Sequence, residues 1–82
     1  MILSIIFVIN DYNFSMDSFG KRLKELRLEK GIGQEKLAAD LCVGNGTISL
    51  WENGLREPKM SNLILLAKYF GVTIDYLVGL ED

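Results

Sequence analysis

Residues 34–54, QEKLAADLCVGNGTISLWENG, decide how this chain folds. From Gln34 onward Leu37, Ala38 and Leu41 recur at helical spacing, and the period stops near Cys42 because Gly44 and Gly46 follow. Ile48 and Trp51, at i and i+3, form a second short apolar face that ends at the stop signal Asn53-Gly54. The spacing predicts helices over 34–41 and 45–53, with Trp51 in the core. Only about three residues, Cys42-Val43-Gly44, join them. So tight a turn forces the two helices to cross at a large angle and leaves the N-terminal residues of the second standing proud.

Helical signals continue on both sides. Phe19, Leu23, Leu26 and Lys30 fall at i, i+4, i+7 and i+11 and predict a helix over 18–30, with Gly31 as its C′ residue. A loop, Leu55 to Lys59, carries the only proline. Ser61 is the expected N-cap of a helix over 62–70, in which Leu63, Leu66, Ala67 and Phe70 repeat before Gly71. Thr73 is the expected cap of a last helix, 74–79, presenting Ile74, Leu77 and Val78. Five short helices on short turns make a compact all-α bundle.

Ahead of this bundle lies a different kind of sequence. The chain has 82 residues and is 49% hydrophobic, but 10 of the first 15 residues are hydrophobic, so the excess is concentrated in MILSIIFVINDYNFS. The expected division is an apolar extension, 1–15, and a domain, 16–82. The apolar run reaches Asn10 and Asp11 long before the ~20 residues a membrane helix needs. No Lys or Arg precedes Lys21, as a secretory signal would require. Together with a single free Cys42, this predicts a cytoplasmic protein. The lack of any His excludes a Cys/His metal site and the usual nucleophile–base pairs, so neither an enzyme nor a cofactor is expected.

The segments RLKELRLEKGIGQEKLAADL at 22–41, TISLWENG at 47–54, EP at 57–58 and NLILLAKYFGVTIDYLVG at 62–79 resemble the helix-turn-helix domain of phage Cro and repressor proteins, the XRE type. The resemblance covers nearly all of 19–80 and implies a lambda-repressor-like bundle whose third helix enters the major groove of double-stranded DNA. It places Gln34 against a phosphate, Asn45, Gly46 and Leu50 at base edges, and Thr47 and Ser49 at the backbone or rim. An Asn can pair with adenine N6/N7, and a Leu can touch a thymine methyl. Asn45 could instead simply cap its helix, the lesser alternative. The loop residues Arg56 and Lys59 are the best candidates for further phosphate contacts, with Lys21 or Arg22 a weaker choice. Arg27 and Glu52 match a family pair whose salt bridge holds the third helix to the first, so Glu52→Ala is expected to destabilise more than Glu52→Gln.

The sequence also departs from the family's common pattern. Gly44-Asn45-Gly46 and Leu50 stand where many members carry polar or basic residues, and there is no charge from Cys42 to Trp51, so strong guanine contacts are not expected. Cys42 replaces the usual glycine of the turn, which stores roughly 1 kcal/mol if that position has positive φ. The net charge of −2 requires any DNA contact to rest on a local basic patch.

Two functions follow from this reading. The first is a sequence-specific transcriptional regulator, a repressor binding a palindromic operator as a homodimer, with no membrane association and no small-molecule effector. The second keeps the fold as a protein-interaction module, such as an antitoxin or assembly partner. Residues 2–9 suit a strand that pairs with its copy in a second chain, although Met16 is also a natural start that would make 1–15 an upstream extension. Tyr76, Val78 and Leu80 offer the alternative dimer surface.

Overall fold

The computed structural model describes residues 16–82, which form five helices: α1 (Met16–Lys30), α2 (Gln34–Leu41), α3 (Thr47–Glu52), α4 (Met60–Phe70) and α5 (Ile74–Leu77). No strand occurs among the described residues. The expected extended segment and its dimer ribbon, 1–15, lie outside them. No helix among the described residues is long and apolar enough to cross a membrane.

Most of the apolar positions the helical period implied enter one core, while Leu26, Ala67, Phe70 and Val78 pack against it half-buried and Ile74 and Lys30 are not part of it. Phe19 and Leu23 come from α1, Leu37, Ala38 and Leu41 from α2, Ile48 and Trp51 from α3, Leu63 and Leu66 from α4, and Leu77 from α5. Full burial of a large apolar side chain is worth about 1.5–3 kcal/mol. The Phe19 and Trp51 rings meet edge to face at 6.2 Å, locking α1 onto α3. Around this core α1 packs on α3 and α5, α2 on α3 and α4, and α4 on α5.

Three helix starts differ from expectation. Helix α1 begins at Met16, two residues early. Helix α3 begins at Thr47, not 45, because Gly46 at φ 83° and ψ −12° turns the chain and the Thr47 N–H donates to the Gly44 carbonyl at 3.2 Å. With φ negative at Asn45, this is a type II turn, whose third residue calls for glycine. Gly46, with no side chain to offer, therefore takes the N-cap, and Asn45 does not cap α3. Helix α4 begins at Met60, so Ser61 lies within its first turn. There Lys59, already extended at φ −70° and ψ 156° after the buried Pro58, supplies the N-cap geometry from backbone alone. At α5 the expected cap holds: the Tyr76 N–H donates to Thr73 Oγ1 at 3.0 Å. That helix stops at Leu77 rather than 79, followed by Gly79 at φ 88°.

A surface cluster ties α2 to α4. Asp40 accepts from Lys36 Nζ at 2.8 Å and from the Tyr69 hydroxyl at 2.6 Å, while Lys30 Nζ lies 4.8 Å from the centre of the Tyr69 ring. The hydrogen bonds from Lys36 and Tyr69 hold the Asp40 carboxyl below its ordinary pKa, and the bond to Asp40 raises that of Tyr69.

Cys42 closes α2 in the left-handed region, at φ 56° and ψ 42°, and is exposed. Its N–H donates to Ala39 O at 3.2 Å and the Val43 N–H to Ala38 O at 3.0 Å, so the conformation satisfies the free carbonyls of the helix end. A Cβ in this region is strained, roughly 1 kcal/mol. Cys42→Gly is expected to raise stability by about 0.5–1 kcal/mol, read as a higher urea midpoint; an unchanged or lower midpoint contradicts the strain.

Candidate nucleic-acid interface

The turn from Cys42 to Gly46 sets α3 across the front of α2. With Ile48 and Trp51 both 1% exposed, the opposite face of α3 lies 100° per residue around the helix, at Ser49, Leu50 and Asn53, with Gly46 leading into it. Asn45, Gly46 and Asn53 are exposed; Thr47, Ser49 and Leu50 are half-buried. Asn53 did not stand out in the sequence, where its neighbour Gly54 marked it as part of a stop signal. Its Nδ2 donates to the Ser49 carbonyl at 2.8 Å and to Ser49 Oγ at 3.2 Å, which fixes both side chains on the outward face.

Two hollows flank this face. The first brings Gln34 together with Asn45, Gly46 and Ser49, and adds Glu35. The second lies beside the turn and brings Thr47 together with Arg56 and Lys59, and adds the carboxylate of Glu57 between them in the chain and Asn62 from the first turn of α4. Both cations are exposed. Leu50 lines neither hollow and sits on the ridge between them. Glu35 and Asn62 had no signal of their own in the sequence; their membership depends on how α2 and α4 pack against α3.

Behind the face, Arg27 and Glu52 form a bidentate ion pair. Arg27 Nε donates to Glu52 Oε2 at 2.7 Å and Nη2 donates to Oε1 at 3.1 Å, with the two side chains 9% and 3% exposed. Arg27 Nη1 also donates to the Ile32 carbonyl at 2.9 Å, joining the α1–α2 connection to the same group. Hydrogen bonding to Glu52 raises the Arg27 pKa further, against the opposing effect of burial. Gln34 Nε2 donates to Glu52 Oε1 at 3.0 Å. An amide nitrogen carries two protons, so one remains for an external acceptor.

The remaining basic residues of α1 stand elsewhere. Arg22 is engaged with the C-terminal end: it donates to the Tyr76 carbonyl at 2.7 Å and to the Glu81 carbonyl, and stacks 4.4 Å from the centre of the Tyr76 ring. Lys21 pairs with Asp17 at 3.2 Å on an exposed surface.

A helix-turn-helix family model matches residues 23–77. Over 64 residues, 78% of this chain, the sequence is 42% identical to the HTH-type transcriptional activator BcrR of Enterococcus faecalis, of which the match spans 31%. It is 38% identical over 65 residues to the HTH-type transcriptional regulator ImmR of Bacillus subtilis, covering 79% of this chain and 51% of that one. It is 37% identical over 61 residues to the cryptic phage CTXphi transcriptional repressor RstR of Vibrio cholerae, covering 74% and 55%. The chain thus matches between about a third and just over half the length of these relatives. Among solved structures, the restriction-modification controller protein C.AhdI from Aeromonas hydrophila superposes with a TM-score of 0.69 at 32% identity, over 76% of this chain and 94% of that one. The hypothetical transcription factor NHTF from Neisseria shares the fold, with a TM-score of 0.72 at 23% identity over 78% and 74%. With the family model spanning most of the described residues and the fold shared at this level, the chain belongs to the helix-turn-helix family.

Proposed function

We propose that the protein is a cytoplasmic, sequence-specific DNA-binding transcriptional regulator. It acts as a homodimer on a palindromic operator, with α3 in the major groove, and represses by occupying its site. The observation that carries this is the exposed face of α3 between two flanks, with Gln34 on one side and Arg56 and Lys59 on the other. Groups suited to base edges lie in the middle and groups suited to phosphates at the sides, the division of labour that DNA recognition uses. Family membership, and not any feature of the site, sets enzymic activity aside.

For the dimer contact, the outer face of α4 is the better surface. Met60, Ile64 and Leu65 are exposed there, whereas Tyr76 lies against Arg22 and Val78 packs on the core, leaving only Leu80 of the α5 candidates exposed. A second chain covering this face would bury these apolar side chains, and two copies are what reading two half-sites one helical turn apart requires.

In vitro selection from random duplex DNA tests the proposal, with a recovered palindrome as the expected result. Enrichment of no sequence overturns it in favour of a protein-interaction module on the same fold. Sedimentation of Ile64→Glu beside the unaltered chain tests the dimer face, because a monomeric variant is expected and an unchanged mass contradicts it.

A further inference from the structure

The groups displayed around α3 point to one kind of base pair. No Lys or Arg occurs between Lys36 and Arg56, so the recognition face has no cation of its own. The hollow beside α3 instead adds the exposed carboxylate of Glu35 to Asn45, Gly46 and Ser49. In the major groove guanine shows two acceptors, N7 and O6, which a carboxylate can only repel. Adenine shows N7 beside the donor N6–H₂, matching the donor and acceptor of the Asn45 amide and tolerating Glu35 nearby. Ser49 Oγ already accepts from Asn53, so its own proton is left to donate, but every base pair offers it an acceptor and Ser49 sets no preference; the choice rests on Asn45, Glu35 and Leu50. On the ridge, half-exposed Leu50 offers an apolar surface that suits the thymine C5-methyl. Gly46 removes the last obstacle: a Cβ built there would meet nothing within 4 Å, so a base edge can come close to the backbone. Cytosine could satisfy Glu35, but it brings neither the N7 that Asn45 needs nor the methyl that Leu50 needs.

Resting on the DNA-binding reading above, we infer that each half-site is read as A·T pairs, through the adenine N6/N7 edge at Asn45 and a thymine methyl at Leu50, without a guanine contact. The half-site is therefore A·T-rich at the positions under α3, and binding is sensitive to thymine methyl groups.

The test uses the selected duplex with single-base analogues and the full chain. Replacing one thymine per half-site by dU, which removes only the methyl, is expected to weaken binding by the dimer roughly fifteenfold, about fourfold for each of the two methyl groups no longer buried. Leu50→Ala is expected to bind the dT and dU duplexes equally. Replacing guanines by 7-deazaguanine is expected to change nothing. Weakening by 7-deazaguanine with no effect of dU, or a dT/dU difference that persists in Leu50→Ala, overturns the inference while leaving DNA binding intact. Failure to bind any selected duplex overturns the regulator reading itself.

Discussion

Glu52→Ala is expected to lose about 3–5 kcal/mol of folding stability, the cost of breaking a buried ion pair and leaving one charge behind. In this protein Glu52 accepts from Arg27 Nε and Nη2 and from Gln34 Nε2, and its side chain is only 3% exposed. Alanine would leave a guanidinium facing the interior with only the Ile32 carbonyl as partner. A domain of this size has a total stability of about 3–10 kcal/mol, so the variant is expected to be largely unfolded or nearly so at 37 °C. Glu52→Gln keeps an amide oxygen for Arg27 but loses the charge, and its urea midpoint should fall between the other two. A Glu52→Ala midpoint equal to that of the unaltered protein contradicts the structural role of the pair.

Gly20→Ala tests the packing of α1 on α3, and here helix propensity and packing predict opposite signs. In the middle of a helix, alanine is favoured over glycine by about 1 kcal/mol. A Cβ at Gly20, however, would sit 2.5 Å from the Glu52 carbonyl oxygen, 2.7 Å from that of Trp51 and 2.9 Å from the Glu52 carbonyl carbon. All three are backbone atoms, so no side chain can swing away and the helices must separate. Overpacking costs about 1–3 kcal/mol when neighbours can adjust, and more when they cannot. The net expectation is a loss of about 2 kcal/mol, or roughly 10 °C in melting temperature for a domain this small. A higher melting temperature than the parent would show that propensity wins and that α1 and α3 can part at little cost.

Gly20 also shows where sequence reading stops. The periods of α1 to α5 were legible because apolar residues at helical spacing have no other economical way to be buried, and α2 was bounded correctly at both ends by Gly33 and the turn. Gly20 carried no such mark. A glycine inside a helix reads as weak propensity until the facing backbone is known. The starts of α3 and α4 were misplaced for a related reason. Asn45 and Ser61 have capping side chains, but Gly46 with positive φ and Lys59 after Pro58 supply the required backbone geometry without one. Of the candidate interface, the residues proposed on α3 and the loop after it were named from their order along the chain. Glu35 and Asn62 could not be, because their places beside α3 come from packing between helices, and Asn53 could not be, because its side chain is set by its bonds to Ser49.

Docking of α3 on duplex DNA between phosphate-binding flanks releases counterions, so the dependence of affinity on salt reads it out. For the selected duplex, log affinity should fall steeply and linearly with log salt concentration, and Lys59→Ala should make that slope shallower by about one unit per monomer, weakening all sequences alike. A slope unchanged by Lys59→Ala and by Arg56→Ala, or an affinity indifferent to salt, would show that these flanks do not meet phosphates.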